Sequence, residues 1–155
     1  MTTDQQHETQ VTTPSDLEVR IERVFDAPRE RVWTALHDPE LIPEWWTDTT
    51  VEEMDVTPGG TWRFVATTPN GKWVVGGTYR EVTPPERVVR TFFSEGMPAP
   101  IIETTVFEDL GSQTRVIATS LFETTEARDG MLGGMKWGAP EGHKRIDALL
   151  ARLAA

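Results

Sequence analysis

Apolar and polar residues alternate in LEVRIERVF, residues 17–25, and this period of two predicts a β-strand. The spacing then changes to three and four in DAPRERVWTALHDP, which predicts a short helix with Asp26 as its N-cap and a proline in its first turn. A second short helix is predicted in PELIPEWW, starting at Pro39 and limited in length by Pro43. One strand and two short helices therefore open the chain.

The pattern between residues 50 and 122 predicts strands separated by short turns. The turns are PGG, PNGK, TPPE, EGMPAP and DLGSQ, which contain the residues that tight turns prefer. In TWRFVAT, strict alternation places Trp62, Phe64 and Ala66 on one face. The predicted strands are 50–57, 61–68, 72–82, 87–95, 101–108 and 114–122, which together make an antiparallel meander.

The last segment, residues 124–153, is predicted to be a long helix with an apolar stripe, kinked near Pro140. The stripe is small in its middle, so either a cavity lies over the sheet there or the helix packs closely on the sheet. On a straight helix Trp137 lies roughly opposite the stripe, so it either faces outward or swings inward at a break. The stripe consists of Met131, Met135, Ala139, Gly142, Ile146, Leu149 and Leu153.

Composition narrows the functions to consider. The formal net charge of −10 opposes binding to nucleic acid and to anionic membrane surfaces. There is no cysteine, and the three histidines are scattered, so we expect no disulfide, no metal and no other cofactor. The chain has no apolar run long enough to span or insert into a membrane and no secretory signal, so a cytoplasmic protein is expected.

The domain organisation follows from the polarity of the first residues. Residues 1–16 are almost all polar, so they are expected to form a disordered N-terminal tail. Residues 17–155 have the length of one domain and are expected to form it. We expect a monomer or a homodimer.

Four ordered motifs resemble those of one protein family. RVFDAPRERVWTALHDPELIPEWW, VTPGGTWRF, VGGTYREVTPPERVVRTF and GGMKWGAPEGHKRIDALLARL resemble the landmarks of the heat-shock-protein-90 ATPase activator homologue family. This family is a branch of the START-like (SRPBCC, polyketide cyclase and lipid-transfer) superfamily. The resemblance covers about residues 17–153. It implies an α+β helix-grip fold, in which a curved antiparallel sheet of about seven strands wraps around the long C-terminal helix, with two short helices between the first two strands.

The resemblance also implies an apolar cavity between sheet and helix, and it leaves three functions open. The first is binding of a small hydrophobic or aromatic ligand, such as a lipid, without catalysis. The second is a protein-interaction module that binds a chaperone or another protein, as in a stress response. The third is a cyclase-like or hydrolase-like enzyme using a polar group in the cavity, such as Glu103. No nucleophile with a base stands out, so no catalytic residue is assigned.

The candidate ligand-binding residues are large and apolar. Because Trp45 and Trp46 point about 100° apart on a helix, one is expected to close the core and the other to form the mouth of the cavity. His143, at the edge of the stripe, is interpreted as a partly exposed structural residue. The candidate set is Trp45, Trp46, Trp62, Phe64, Trp73, Phe92, Met131 and Met135.

Overall fold

A computed structural model describes residues 7–154 of the chain. The strands are β1 (Gln10–Thr12), β2 (Glu18–Phe25), β3 (Thr49–Met54), β4 (Thr61–Thr68), β5 (Gly71–Thr83), β6 (Arg87–Ser94), β7 (Ile101–Asp109) and β8 (Thr114–Leu121). The helices are α1 (Arg29–His37), α2 (Ile42–Trp45) and α3 (Thr125–Ala154). Neighbouring strands pair antiparallel in the order β1, β2, β8, β7, β6, β5, β4, β3. The curved sheet with its long C-terminal helix confirms the predicted α+β helix-grip fold.

The sheet has eight strands instead of about seven, because a strand forms near the N-terminus. Gln10–Thr12 pairs with β2, and Val11 lies opposite Ile21. The expectation of a disordered tail is therefore wrong for these residues, while residues 1–6 lie outside the described part of the chain. The physical reason is that the free edge of β2 offers backbone partners that a polar local sequence does not reveal.

The two short helices begin later than predicted. Helix α1 starts at Arg29 after Pro28 and has no side-chain cap. The predicted N-cap, Asp26, instead accepts one hydrogen bond from Gln113 and contacts His7. Helix α2 starts at Ile42 instead of Pro39. Pro43 stands in its first turn, where the missing N–H would have no helical partner in any case.

Helix α3 runs without interruption through Pro140 and packs against α1, α2 and β2. Its buried residues, Ile146, Leu149 and Leu150, belong to the C-terminal third. Trp137 is 80% exposed, so it faces outward. No helix within residues 7–154 has the length and apolar character needed to cross a membrane.

Candidate ligand-binding site

A cavity of about 420 Å³ lies between the sheet and the middle of α3. This volume is in the range of small-molecule binding sites. Helix α3 contributes small residues to its wall, strands β6 to β8 form its floor, and α1 and α2 close one end. The lining residues are Leu36, His37, Ile42, Trp45, Trp46, Thr47, Phe64, Val88, Arg90, Glu103, Thr105, Phe107, Val116, Ala118, Ser120, Gly138, Ala139, Gly142, His143, Arg145 and Ile146.

The glycines in the middle of α3 allow two explanations of its small residues to be compared, a cavity over the sheet and close packing of the helix on the sheet. A Cβ atom added at Gly138 or Gly142 would meet no heavy atom within 4 Å. In contrast, a Cβ atom at Gly77 in the sheet would collide with the carbonyl oxygen of Thr91. Gly138 and Gly142 therefore do not serve close packing, and both line the cavity.

The floor of the cavity contains a row of polar side chains that cross-strand register brings together. Arg90 of β6 lies opposite Glu103 of β7, and Glu103 lies opposite Ser120 of β8. The next row in the same strands is Val88, Thr105 and Ala118, which is more apolar. One end of the floor thus offers hydrogen-bonding groups and the other offers mainly apolar surface. We call Arg90, Glu103 and Ser120 the polar row.

Two contacts hold Arg90 in place. Its Nε donates a hydrogen bond to Oε1 of Glu103 at 2.9 Å, and both side chains are partly buried. Its guanidinium carbon lies 3.8 Å from the centre of the Trp62 ring, a distance typical of a cation–π contact. Trp62 itself is anchored by an Nε1 hydrogen bond to the Thr91 carbonyl oxygen at 3.1 Å.

Two histidines on the wall are neutral at physiological pH. Burial lowers the pKa of His37 to about 4, an effect that Arg90 reinforces and the carbonyl oxygen of Trp33, which accepts from Nδ1 at 3.0 Å, opposes. Burial also lowers the pKa of His143 to about 4, with Arg23 adding to the effect and Asp147 opposing it.

His143 links the N-terminal segment to the cavity wall. Its Nδ1 lies 2.6 Å from the hydroxyl of Thr9, and its ring meets Phe25 edge-on at 5.3 Å. The interpretation of His143 as a structural residue therefore has support in these contacts, although its ring also lines the cavity.

The charge of the wall differs from that of the whole chain. Two arginines, Arg90 and Arg145, line the cavity against one glutamate, Glu103, which leaves one net positive charge. The chain as a whole carries −10. Arg145 is exposed at the rim, where water screens its charge.

The two adjacent tryptophans have different contacts, although both line the cavity. Trp45 donates its Nε1 hydrogen to the Ala35 carbonyl oxygen at 2.9 Å and so ties α2 to α1. Trp46 meets Phe64 edge-on at 5.6 Å and approaches Trp73 at 6.2 Å. Trp45 is thus the anchor of α2, and Trp46 is the one placed between the cavity and the outer aromatic residues.

Of the other predicted site residues, only Phe64 lies on the cavity wall. Phe64 lines the cavity, whereas Trp62 and Phe92 are buried beside it and do not form its wall. Trp73 is partly exposed and lies outside the wall, with its ring tilted against that of Phe92 at a centroid distance of 6.1 Å. On α3, Met131 lines a separate groove near Met97, and Met135 packs against the core outside the wall.

The predicted set lacked most of the polar wall, including Arg90, Ser120 and His37. A signal for Arg90 existed in the sequence: it shares the alternation of Val88 and Phe92, both of which are buried in β6. A charged residue on an inward face is unusual enough to mark a site. Ser120 carries no such mark, because small hydroxyl residues are common in strands of every kind.

The family of the chain follows from its match to known proteins. Residues 26–151 match the family model described as Activator of Hsp90 ATPase homolog 1-like protein. The chain belongs to this family. Membership suggests ligand binding or a co-chaperone-like role, and it confirms the resemblance carried by the four sequence motifs. Among curated proteins, none matches this chain.

Several solved structures share the fold of this family member. A protein from Rhodobacter sphaeroides is 25% identical over 94% of this chain and 99% of its own, with a TM-score of 0.85. Protein Ms6760 from Mycobacterium smegmatis is 25% identical over 92% of this chain and 96% of its own, with a TM-score of 0.83. A protein from Arthrobacter aurescens is 27% identical over 92% of this chain and 91% of its own, with a TM-score of 0.80.

Proposed function

We propose that the chain binds a small hydrophobic or aromatic molecule in the cavity between the sheet and α3, without catalysis. The observation that carries this proposal is the open space beside Gly138 and Gly142, both of which line the cavity. The aromatic rings of Trp45, Trp46 and Phe64 offer apolar contact area around that space. A ligand filling it would recover the contacts that the glycines leave unmade.

The residues that line the cavity support catalysis less well than ligand binding. A general base works best when its pKa lies near the working pH. The two wall histidines have pKa values of about 4 and are therefore weak bases. The carboxylate of Glu103 is already engaged by Arg90.

The test is a thermal-shift and native mass-spectrometry screen of fatty acids, flavonoids and polyketide-like compounds against two matched variants. Gly142→Leu places a side chain in the cavity, and Gly134→Leu places the same side chain at an exposed position of the same helix. Both changes raise helix propensity by about 1 kcal/mol, so neither should lower the melting temperature. A ligand at a hundred times its dissociation constant stabilises the fold by about 2.7 kcal/mol.

We expect wild type and Gly134→Leu to show this ligand-induced shift and Gly142→Leu to lose it. The proposal fails if no compound stabilises the wild type, or if both variants respond alike.

A second candidate function, a protein-interaction module, is favoured by Trp137. This ring is 80% exposed on the outer side of α3, beside the exposed Gly133 and Gly134. Exposed tryptophans are enriched among residues that dominate binding at protein interfaces. If this function holds, the chain should stimulate the ATPase of purified heat-shock protein 90, and Trp137→Gln should remove the stimulation. An unchanged ATPase rate with the wild-type chain would rule the candidate out.

A further inference from the structure

We infer that the ligand carries a neutral polar edge, able both to donate and to accept hydrogen bonds, that faces Arg90, Glu103 and Ser120. This inference rests on the proposed function and adds the chemical class of the ligand. It describes a molecule with an apolar ring body and a hydroxyl or amide group on one edge, such as a phenol.

The hydroxyl of Ser120 is the first observation behind it. Ser120 is only 5% exposed and lines the cavity. Within residues 7–154 its side chain has no hydrogen-bond partner. Because buried polar groups in folded proteins nearly always have partners, a group inside the cavity is the natural complement of this hydroxyl.

The polar row supplies donors and acceptors in a fixed order. Arg90 uses Nε for Glu103, and a guanidinium holds five N–H donors in all. Glu103 accepts at Oε1, and a carboxylate has further acceptor sites on both oxygens. Ser120 can donate or accept. Three neighbouring strands span roughly 10 Å at the usual strand spacing, which is about the length of a two-ring molecule.

Charge balance favours a neutral ligand group. Arg90 and Glu103 form an ion pair, so an anion in contact with the row would face the Glu103 carboxylate and a cation would face the Arg90 guanidinium. Either ion would also have to lose its hydration shell, at a cost larger than for a neutral hydroxyl. Neutral imidazoles at His37 and His143 add no charge to this balance.

Three naphthalene derivatives of nearly equal shape test the inference, with dissociation constants measured by titration of tryptophan fluorescence. β-Naphthol has a neutral donor and acceptor, naphthalene has no polar group, and β-naphthoate has an anionic one. We expect β-naphthol to bind about three- to tenfold more tightly than naphthalene, the effect of one hydrogen bond, and more tightly than β-naphthoate.

Two serine variants test whether Ser120 causes the tighter binding of β-naphthol. Ser120→Ala removes a hydroxyl that has no protein partner, so the fold should tolerate it. Ser94→Ala is the matched control, because Ser94 is also 5% exposed and in a strand but lies outside the cavity wall. Ser120→Ala should reduce the advantage of β-naphthol over naphthalene, and Ser94→Ala should preserve it.

The outcomes separate this inference from the proposed function. If all three compounds bind but β-naphthol has no advantage, or β-naphthoate binds most tightly, the neutral polar edge is wrong and cavity binding stands. Retention of the full advantage in Ser120→Ala also overturns the polar edge. If none of the three binds, the polar-edge inference is overturned, and the proposed function falls with it only if the fatty-acid, flavonoid and polyketide-like screen also yields no ligand.

Discussion

At the scale of single residues, two aromatic side chains on the same face of one strand have different roles. Trp62 and Phe64 lie on the same face of β4, and both are buried. Only Phe64 reaches the cavity wall, while Trp62 lies beneath Arg90 and supports its guanidinium. Alternation along a strand identifies the face that a side chain occupies, but it does not show which neighbour covers that side chain.

Replacing Trp45 and Trp46 singly by leucine should separate anchoring from ligand uptake. Trp45→Leu loses the hydrogen bond to Ala35 together with ring contacts, so we expect a fall of about 2–3 kcal/mol in the free energy of unfolding. Trp46→Leu should change ligand affinity more than stability, because its ring lies at the cavity wall near Phe64. Urea unfolding and ligand titration measure the two effects. If both variants lost only stability, Trp46 would not form the mouth of the cavity.

The neutral histidines predict that acid destabilises the fold. The pKa of His37 and of His143 falls from 6.5 to about 4 on folding, so the unfolded chain binds more protons between these values. Stability is therefore full above pH 6.5 and falls as the pH drops toward 4, by on the order of 2 kcal/mol per histidine between pH 6.5 and about 5.

Urea unfolding at several pH values measures this dependence. The double variant His37→Gln, His143→Gln should have a shallower pH profile over the same window. A wild-type stability that stays flat from pH 7 to pH 5 would contradict the assignment of both rings as buried and neutral.

At the scale of secondary structure, predictions succeeded where the pattern is local. The six strands between residues 50 and 122 and the long final helix can be read from alternation, turn residues and helical spacing. Strand β1 could not, because three residues gain order only from pairing with β2. The predicted start of α2 at Pro39 is wrong because Pro43 does not end this helix but occupies its first turn.

One partly buried ion pair joins α3 to strand β2 of the sheet. Asp147 receives two hydrogen bonds from Arg23, at 2.5 and 2.6 Å, and the Arg23 side chain is 8% exposed. Asp147→Asn leaves this guanidinium without its counter-charge, so we expect a loss of about 2–3 kcal/mol, less than for a fully buried pair because Asp147 is itself 43% exposed.

The control on the same helix is Glu141→Gln. Glu141 pairs with Lys144 at 3.6 Å on the surface, so the loss should stay within about 0.5 kcal/mol. Equal losses for the two variants in urea unfolding would show that the Arg23 pair does not hold α3 to the sheet.

At the scale of the whole molecule, the family, the helix-grip fold and a polar group in the cavity at Glu103 are predictable from the sequence, and the side-by-side arrangement of the polar row is not. Four motifs in order were enough for the fold. The polar row depends on the register between β6, β7 and β8, which sets residues up to thirty positions apart side by side. Register between strands is a property of the assembled sheet. The local sequence around Arg90, Glu103 or Ser120 therefore does not predict that these three residues lie side by side.

Binding inside the cavity, between the polar row and the glycines of α3, is the central claim. The most direct test is a nuclear magnetic resonance titration of isotope-labelled wild-type protein with β-naphthol. We predict saturable shifts of the Ser120, Gly138 and Gly142 amide signals and of the Trp46 indole signal, with the Trp137 indole unchanged. Shifts centred on Trp137 and Gly134, or no saturable shift at all, would contradict it.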